Sequence, residues 1–557
     1  MDRIDFLKYF DDIQLKPRAG QTYILEQISE LWDKYKYVII SAPTGIGKTH
    51  IALAIANALG KSYILTHTKQ LQDQYLTTSS KVVNLKGRGN YNCNINPAFM
   101  VDAAPCLVAK NIKAQCLREK TCSYYNQVEK ALASQTMITN YAYFLYSTHC
   151  GVLSDEGIEP RNALIMDEAH ILESLLVSFA RIDVDTKELH EKHGVDCEDI
   201  TFTEELDYNR AQLAVLIEKV QKRCDDLKAT LESEFNPSNK EMTIKLAKAF
   251  SAVTSDKVKK LNAKLYHLDK ILQSLVIYQT SRDISEWVEK PIFEKGMIEI
   301  GETEKICLAP LKATNLFSHY MGKTAEKFVF ISATIDSKMI VDELGIPAEE
   351  VLFIDVDSPF EPSKSPVIFM PTCKMNFSEI DKNHQKIAST VAEILEHHTG
   401  EKGIIHSGNY KISGIITANI HNEQKGRLLH RDMTYGKKMI NEDLFKLHKK
   451  TDQDTVLLSP SMTTGIDLAD DLSRFQIIVK LPFLSLGEPR VEKKSKMNSY
   501  WYENAMWLEV LQSSGRSTRN EDDHSITYIL DSSFRYFYDK NRQYLPQWFT
   551  KRVVFIS

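Results

Sequence analysis

The sequence lacks any long apolar run, and it has little glycine and proline for its length. No apolar stretch approaches the roughly 18 residues that a membrane-spanning helix needs. With 22 Gly and 17 Pro among 557 residues, collagen-like, low-complexity and wholly disordered classes are excluded. The segment from Met1 to Asp5 is too acidic for a signal peptide. We therefore expect a soluble, cytoplasmic protein.

An excess of charge of one sign is also missing. The net charge of −5 and the pI near 6.4 give no overall basic field. A nucleic-acid ligand would therefore need local basic and polar surfaces, and bulk charge neither supports nor excludes one. The length suffices for about three to four domains.

Cysteines are few, and their odd number, nine, disfavours a disulfide framework. Metal binding and free thiols remain as alternatives. Five of the nine are scattered and are expected to be packing residues: Cys150, Cys197, Cys224, Cys307 and Cys373. The other four lie within thirty residues: Cys93, Cys106, Cys116 and Cys122.

Short apolar runs alternate with helical segments through most of the chain. Such runs are too short for buried helices and are typical of interior strands, which indicates an α/β fold with parallel sheets covered on both faces. In the first part they are 37–40, 63–66, 137–139, 163–166 and 328–331. In a second lobe they are 367–370, 403–406, 455–458, 476–479 and 525–530.

A different pattern occupies about 200 to 280, where apolar residues recur at three- and four-residue steps. The first series runs from Leu206 to Leu231 and the second from Leu261 to Leu275, with a break at 236–239. This spacing predicts an antiparallel pair of long helices inserted between strands of the first sheet. A coiled-coil dimer interface is the alternative interpretation.

A phosphate-binding loop follows the first apolar run. The residues Gly47-Lys48-Thr49 close the pattern of a small residue, four spacers and Gly-Lys-Thr between a strand and a helix. Backbone N–H groups at a helix start favour anions; Lys48 should contact the β- and γ-phosphates of ATP, and the Thr49 hydroxyl should bind magnesium. The complete loop is Ala42, Pro43, Thr44, Gly45, Ile46, Gly47, Lys48 and Thr49.

An acidic pair follows the run 163–166 at the carboxyl edge expected for ligands of a parallel sheet. Asp167 is the candidate magnesium ligand, and Glu168 is the candidate for orienting and deprotonating the attacking water. They open the sequence Asp-Glu-Ala-His that ends at His170. The alternative, an acidic helix start stabilised by the helix dipole, loses weight beside a phosphate loop.

A late segment carries two arginines three residues apart. Arg516 and Arg519 would share a helix face and could reach the γ-phosphate across a cleft as fingers, and Gln512 lies on the same face. Alone, the segment would more often be a solvated helix face. Together with the phosphate loop, it predicts a catalytic site divided between two lobes.

The order of these motifs resembles that of superfamily 2 helicases, in particular the iron–sulfur group of XPD and DinG proteins. The resemblance covers nearly the whole length. Further matches are short. In the first part of the chain, Arg18 to Gln21 resembles the Q motif, 66–68 with 70–74 resembles the first DNA-contacting motif, 140–141 resembles an Asn-centred motif, and 332–334 resembles the motif that couples ATP to strand movement. In the second lobe, 407–410 resembles the fourth motif, 464–467 with Gly465 and Asp467 resembles the fifth, and 512–519 resembles the sixth.

This resemblance implies two RecA-like lobes, ATP-driven 5′ to 3′ translocation on single-stranded DNA, and unwinding of forked duplexes or R-loops by a monomer. It implies nucleotide contacts from Arg18, Gln21, Gly465 and Asp467. It also implies a helical arch inserted in the first lobe. A nucleic-acid clamp or remodeller gated by ATP, without processive unwinding, is the alternative function.

The four clustered cysteines are spaced with 12, 9 and 5 residues between them. Structural zinc sites normally include a short pair such as C-x-x-C, which is absent here, so the spacing leans weakly toward a 4Fe-4S cluster. The resemblance to XPD and DinG implies such a cluster more strongly, with Lys86, Arg88, Tyr91, Tyr124 and Tyr125 as strand-contact candidates. Zinc and unligated thiols remain alternatives, as does simple packing for Tyr124 and Tyr125.

The expected domains follow from these assignments. Lobe 1 comprises 1–86, 139–175 and 300–345, and it is interrupted by an iron–sulfur domain at 87–138 and an arch at 176–299. Lobe 2 comprises 346–557.

Overall fold

The computed structural model arranges the chain around two parallel sheets and one small antiparallel sheet. It describes residues 4–97, 99–104, 106, 110–150, 159–235, 252–280, 286–293, 301–433, 438–460, 470–515 and 523–556. No helix in these ranges has both the length and the apolar character needed to cross a bilayer.

The strands within the described ranges are, in chain order, β1 (Tyr37–Ser41), β2 (Ser62–Thr66), β3 (Val82–Asn84), β4 (Thr136–Asn140), β5 (Arg161–Asp167), β6 (Ile182–Asp185), β7 (Trp287–Pro291), β8 (Lys305–Pro310), β9 (Ala325–Ser332), β10 (Val351–Asp355), β11 (Val367–Cys373), β12 (Gly403–His406), β13 (Leu428–His430), β14 (Val456–Ser459), β15 (Phe475–Ile478), β16 (Ile526–Asp531) and β17 (Val553–Phe555).

The helices are α1 (Lys8–Asp12), α2 (Ala19–Leu31), α3 (Lys48–Leu59), α4 (Lys69–Thr78), α5 (Lys110–Arg118), α6 (Ser123–Ala133), α7 (Tyr141–Cys150), α8 (Leu172–Ala180), α9 (Thr186–Glu188), α10 (Leu206–Phe235), α11 (Ala252–Thr280), α12 (Thr314–Tyr320), α13 (Ser337–Leu344), α14 (Phe377–Lys382), α15 (His384–His397), α16 (Tyr410–Asn419), α17 (Asn422–Lys425), α18 (Asn441–Lys450), α19 (Pro489–Met497), α20 (Ser499–Ser514), α21 (Phe534–Asn541) and α22 (Gln547–Thr550).

Lobe 1 is built on the strand order β10-β1-β9-β5-β2-β4-β3, and lobe 2 on the order β13-β14-β12-β15-β16-β11-β17. All neighbouring strands in both sheets run parallel. Every residue of β1 and β2 is buried. Burial on both faces explains why these strands are continuous apolar runs rather than alternating ones. The prediction of two parallel-sheet lobes is confirmed.

One strand lies in a different lobe from the one predicted. β10 pairs with β1 along its whole length, so it is an edge strand of the first sheet, although the predicted boundary at 345/346 assigns it to lobe 2. The chain therefore crosses between the lobes after Asp355. Buried and more exposed residues alternate along β10. Such a pattern does not indicate from the sequence which sheet the strand joins.

The predicted helix pair is present as α10 and α11, which pack against each other. Its apolar stripe is buried inside the chain at Leu213, Leu216, Leu227, Leu268 and Leu275. The stripe is therefore covered without a second copy of the chain. Beside the helices stands the antiparallel sheet β6-β8-β7, which the sequence did not indicate because its strands are short and come from distant segments.

Candidate active site

The phosphate loop has the backbone that its sequence predicts. Gly45 and Gly47 lie in the left-handed region, with φ of +87° and +88°, which side chains other than glycine rarely adopt. Helix α3 begins immediately afterwards at Lys48, so its free N–H groups face the loop. A Cβ added at Gly47 would lie 2.5 Å from Nε2 of Gln21.

The segment before the loop contacts it directly. The backbone N–H of Arg18 donates to Oε1 of Gln21 at 2.8 Å, and Gln21 Nε2 lies 3.3 Å from the carbonyl oxygen of Gly47, to which it donates. The Arg18 guanidinium donates to the carbonyl oxygen of Gly45. The structure thus places Arg18 and Gln21, two of the residues for which the resemblance implies nucleotide contact, directly against the phosphate loop.

Asp167 ends strand β5 and is almost fully buried. Burial and the Glu168 carboxylate raise the pKa of Asp167 to about 6, whereas the nearby Lys48 ammonium lowers it. The ionised form that a magnesium ion needs is therefore favoured by Lys48 and opposed by burial. Glu168 has a left-handed backbone, with φ of +55°. This conformation is uncommon for a residue other than glycine and occurs at functional sites.

Two tyrosines bind this aspartate: Tyr75, which the sequence did not single out, and Tyr141, which belongs to the predicted Asn-centred motif at 140–141. The Tyr75 hydroxyl donates to Oδ2 of Asp167 at 2.9 Å, and the Tyr141 hydroxyl donates to its carbonyl oxygen at 2.9 Å. Both tyrosines are buried. A helical apolar stripe could have marked them as core, but only the fold brings their hydroxyls to Asp167.

A series of hydrogen bonds crosses to lobe 2 from the Asp-Glu-Ala-His segment at 167–170, which we call the acidic box. His170 Nδ1 lies 2.8 Å from Oγ of Ser332, and the N–H of Thr334 donates to that Oγ at 3.3 Å. Gln512 Nε2 then donates to Oγ1 of Thr334 at 2.6 Å. Gln512 therefore reaches lobe 1 from α20, as its predicted position facing the cleft requires.

A cavity of about 190 Å³ lies between the lobes at the phosphate loop. The Thr44 hydroxyl donates across it to the carbonyl oxygen of Gly515 at 3.3 Å. Phe360, in the crossing after β10, also lines it, and a Cβ on Gly45 would lie 2.1 Å from the Phe360 ring. The predicted residues Arg516, Arg519, Gly465 and Asp467 lie outside the described residues.

The four clustered cysteines line one small enclosed cavity and are all buried. Burial and the neighbouring Cys122, Cys116 and Cys93 raise the pKa of Cys106 to about 12. Across the described ranges, no group of three or more His, Cys, Asp or Glu is arranged to hold a metal ion. Four thiols around a common cavity nevertheless fit the donor set of a four-iron cluster, where each iron takes one thiolate.

A larger cavity of about 540 Å³ adjoins the cysteines and reaches the helix pair. We call it the channel cavity; its lining residues include Arg88, Asn90, Tyr124, Tyr143, Tyr146 and Tyr266. The Arg88 guanidinium lies 5.5 Å from the centre of the Tyr124 ring, and the Tyr124 hydroxyl is 2.7 Å from that of Tyr143. Tyr124 is fully buried, which favours a packing role for it.

The other strand-contact candidates, Lys86, Tyr91 and Tyr125, do not line this cavity, but each is adjacent in sequence to a residue that does. Lys86 pairs with Asp73 at 2.8 Å, and its backbone N–H donates to the Tyr91 hydroxyl at 3.2 Å. Tyr125 is partly buried against the core beside Tyr124. The lining itself combines Arg88 and Lys228 with four tyrosines, and it also includes Asp102 and Asp269. Basic and aromatic groups in one cavity suit sequence-tolerant binding of single strands.

Two family matches cover separate parts of the chain, one within each lobe. The family described as "Type III restriction enzyme, res subunit" matches residues 14–192, and the family described as "Helicase C-terminal domain" matches residues 394–552.

Curated relatives extend this similarity over the length of the chain. The Escherichia coli ATP-dependent DNA helicase YoaA is 21% identical over 93% of this chain and 91% of its own length. The Candida albicans ATP-dependent DNA helicase CHL1 is 34% identical over 16% of this chain and 13% of its own.

Solved XPD structures share the fold. An XPD helicase superposes with a TM-score of 0.61 at 14% identity, covering 97% of this chain and all of the other. Xpd4 of S. tokodaii gives 0.56 at 12% identity, with 97% and 100% covered. These matches confirm the resemblance to superfamily 2 helicases of the XPD and DinG type that the motif order indicated, and the superpositions show that the fold is shared.

Proposed function

We propose that the protein is an ATP- and magnesium-dependent DNA helicase that moves 5′ to 3′ on single-stranded DNA and opens forked duplexes or R-loops. The observation that carries this proposal is the contact of one lobe-2 segment with two ATP-site elements of lobe 1. Gln512 bonds Thr334, and Gly515 bonds Thr44 of the phosphate loop. A change in the loop would therefore be transmitted directly to lobe 2.

In this mechanism the nucleotide lies between the lobes. Lys48 and the N–H groups at the start of α3 would hold its phosphates, and Thr49 and Asp167 would hold the magnesium ion, which neutralises phosphate charge. Glu168 would orient and deprotonate the attacking water. Arg516 and Arg519 directly follow Gly515 in the chain, and we assign them the role of neutralising the charge of the transition state.

Movement of the strand would follow from cycles of closing and opening. The series from His170 through Ser332 and Thr334 to Gln512 links the acidic box to lobe 2, so loss of the γ-phosphate would loosen both ends of it. The channel cavity supplies the strand site, with Arg88 and Asn90 for phosphates and tyrosines for bases. The predicted arch at 176–299 contains the helix pair, β6 and β7; because β8 pairs with both of these strands, we extend the arch to Pro310, into the range predicted for lobe 1. Residues 87–138 are assigned to the iron–sulfur domain.

Unwinding of partial duplexes tests both the function and its polarity. We expect ATP-dependent displacement when the only single-stranded tail is 5′ and none when it is 3′. The measurement is release of a labelled strand from two substrates that share one duplex, with and without ATP. DNA-stimulated hydrolysis without displacement from either substrate would favour the clamp, and opening from the 3′ tail alone would reverse the proposed polarity.

The cysteine cavity gives a second prediction. Replacing Cys116 by serine should remove one of four thiolates, lower the iron content from four per chain, and weaken unwinding more than ATP hydrolysis. Iron analysis and visible absorbance of anaerobically purified protein measure this, and Cys373→Ser in lobe 2 is the matched control. A colourless, zinc-loaded native protein, or unchanged iron in the Cys116 variant, would contradict the assignment.

A further inference from the structure

Two buried hydroxyl groups from two different helices converge on one acidic residue. Tyr75 belongs to α4 and is bonded to the carboxylate of Asp167, and Tyr141 begins α7 and is bonded to the carbonyl oxygen of Asp167. Both bonds measure 2.9 Å, and both rings are buried. The side chain and the backbone of Asp167 are thus each held by a separate helix.

The same helix α4 is also tied to the rim of the channel cavity. Lys69, its first residue, donates to Oδ1 of Asn90 at 2.8 Å, and Asp73 accepts from Lys86 at 2.8 Å. Asn90 lines the cavity, and Lys86 directly precedes its lining segment. A ligand that displaces Asn90 would therefore pull on the helix that carries Tyr75.

Helix α7 forms part of the cavity wall. Tyr143 and Tyr146 line the cavity, and Oδ1 of Asn140 accepts the N–H of Tyr143 at 2.8 Å. Tyr141 lies between these residues in sequence but points to Asp167. Helix α7 therefore both lines the cavity and contacts Asp167, whereas α4 contacts Asp167 and is linked to the cavity through the Lys69–Asn90 hydrogen bond.

We propose that Tyr75 and Tyr141 are positioning residues through which a single strand in the channel cavity sets the position of Asp167, and thereby the affinity for the magnesium–nucleotide complex. This inference rests on the proposed function. Hydrogen bonds weaken steeply with distance and angle, so a small shift of α4 or α7 alters the orientation of the carboxylate. Coupling is reciprocal, so bound nucleotide must change strand affinity by the same factor.

Binding of an oligothymidylate to the full chain tests the link without relying on turnover. A fluorescent oligothymidylate is titrated with and without magnesium and a non-hydrolysable ATP analogue, and the ratio of dissociation constants is the coupling factor. Tyr75→Phe keeps the ring and loses the hydroxyl. We expect this variant to bring the coupling factor roughly tenfold closer to one, the size of effect expected for loss of a hydrogen bond to a charged group. Tyr141→Phe should act in the same direction.

Tyr63→Phe is the matched control. Tyr63 is buried in β2 of the same sheet, and its hydroxyl donates to the carbonyl oxygen of Glu159 at 2.7 Å. Removing this hydroxyl therefore reports the stability cost of losing a buried tyrosine hydrogen bond that does not involve Asp167. Thermal melting of all three variants separates stability from coupling.

The outcomes separate this inference from the function on which it rests. Unchanged coupling in both Tyr75→Phe and Tyr141→Phe, with coupling present in the native protein, overturns the inference alone. An equal loss in Tyr63→Phe also overturns it. Absence of coupling in the native protein overturns both the inference and the proposed helicase.

Discussion

Replacing Lys48 by alanine is expected to lower ATP hydrolysis by at least about 10²–10³-fold, the loss typical of removing one preorganised group that stabilises transition-state charge. Lys48 is the first residue of α3 and directly follows the loop in which Gly45 and Gly47 have left-handed backbone. Its removal also takes away the cation that lowers the pKa of Asp167. Under the proposed function, phosphate binding and ionisation of the proposed metal ligand would be weakened together.

The fold should survive this change. Among the described residues, the Lys48 side chain donates to the carbonyl oxygen of Ala42 at 3.3 Å, and the apolar residues of α3 that bind the helix to the sheet are untouched. The measurement is steady-state phosphate release with saturating DNA, accompanied by a melting curve. Lys61→Ala is the control, because Lys61 is an exposed lysine of the same lobe paired with Glu159. Turnover near the native rate would mean that the loop has been misinterpreted.

Replacing Glu173 by alanine is expected to destabilise the protein by about 3–5 kcal/mol, the effect of breaking a buried ion pair from one side. Glu173 on α8 and Glu343 on α13 belong to lobe 1, and they meet Arg490 and Lys494 from α19 of lobe 2. Lys494 lies 2.9 Å from Oε1 of Glu173, and all four side chains are largely buried. Without Glu173, two buried cations would share one carboxylate.

The pKa shifts in this cluster define how the loss should appear. Arg490 and Lys494 lower the pKa of Glu173, while burial lowers the pKa of Lys494. A carboxylate with a depressed pKa stabilises the fold above its unfolded pKa and loses that contribution as the pH falls through the folded value. The native protein should therefore lose the Glu173 contribution in acid, and the variant should show a weaker acid dependence.

Denaturant unfolding followed at neutral and acidic pH measures both effects. Glu442→Ala is the control, since Glu442 pairs with Lys446 on the exposed face of α18 and exposed pairs contribute little. A Glu173 variant as stable as the native protein would show that the lobes do not depend on this cluster for their docking. A stability loss of the same size in Glu442→Ala would contradict the role of burial.

Some of the site could be predicted because its signal is contained in consecutive residues. A strand, a glycine-rich loop and a helix with Lys48 form one local unit, and Asp167 directly follows its own apolar strand. Gln512 was recognisable for the same reason, since its helix face and the motif around it are contiguous. The helix pair from α10 to α11 was predictable because a repeated apolar spacing is visible without knowledge of any partner.

Other parts could not be predicted, because their chemistry depends on contacts between distant segments. Tyr75 is 92 residues from the aspartate it binds, and nothing in its neighbourhood marks the hydroxyl as functional. Phe360 lies in a segment between lobes whose course depends on β10 joining the first sheet. Arg490 and Lys494 look like ordinary surface charges in the sequence.

The sequence by itself determined the resemblance to superfamily 2 helicases, the two parallel-sheet lobes and the phosphate-loop motif, because each is carried by a local pattern of strand, turn and helix. Only the tertiary structure decided which lobe receives β10, which cavity the four cysteines share, and which groups hold Asp167. These depend on burial, which makes a few hydrogen bonds and ion pairs decisive and which arises only when remote segments pack together.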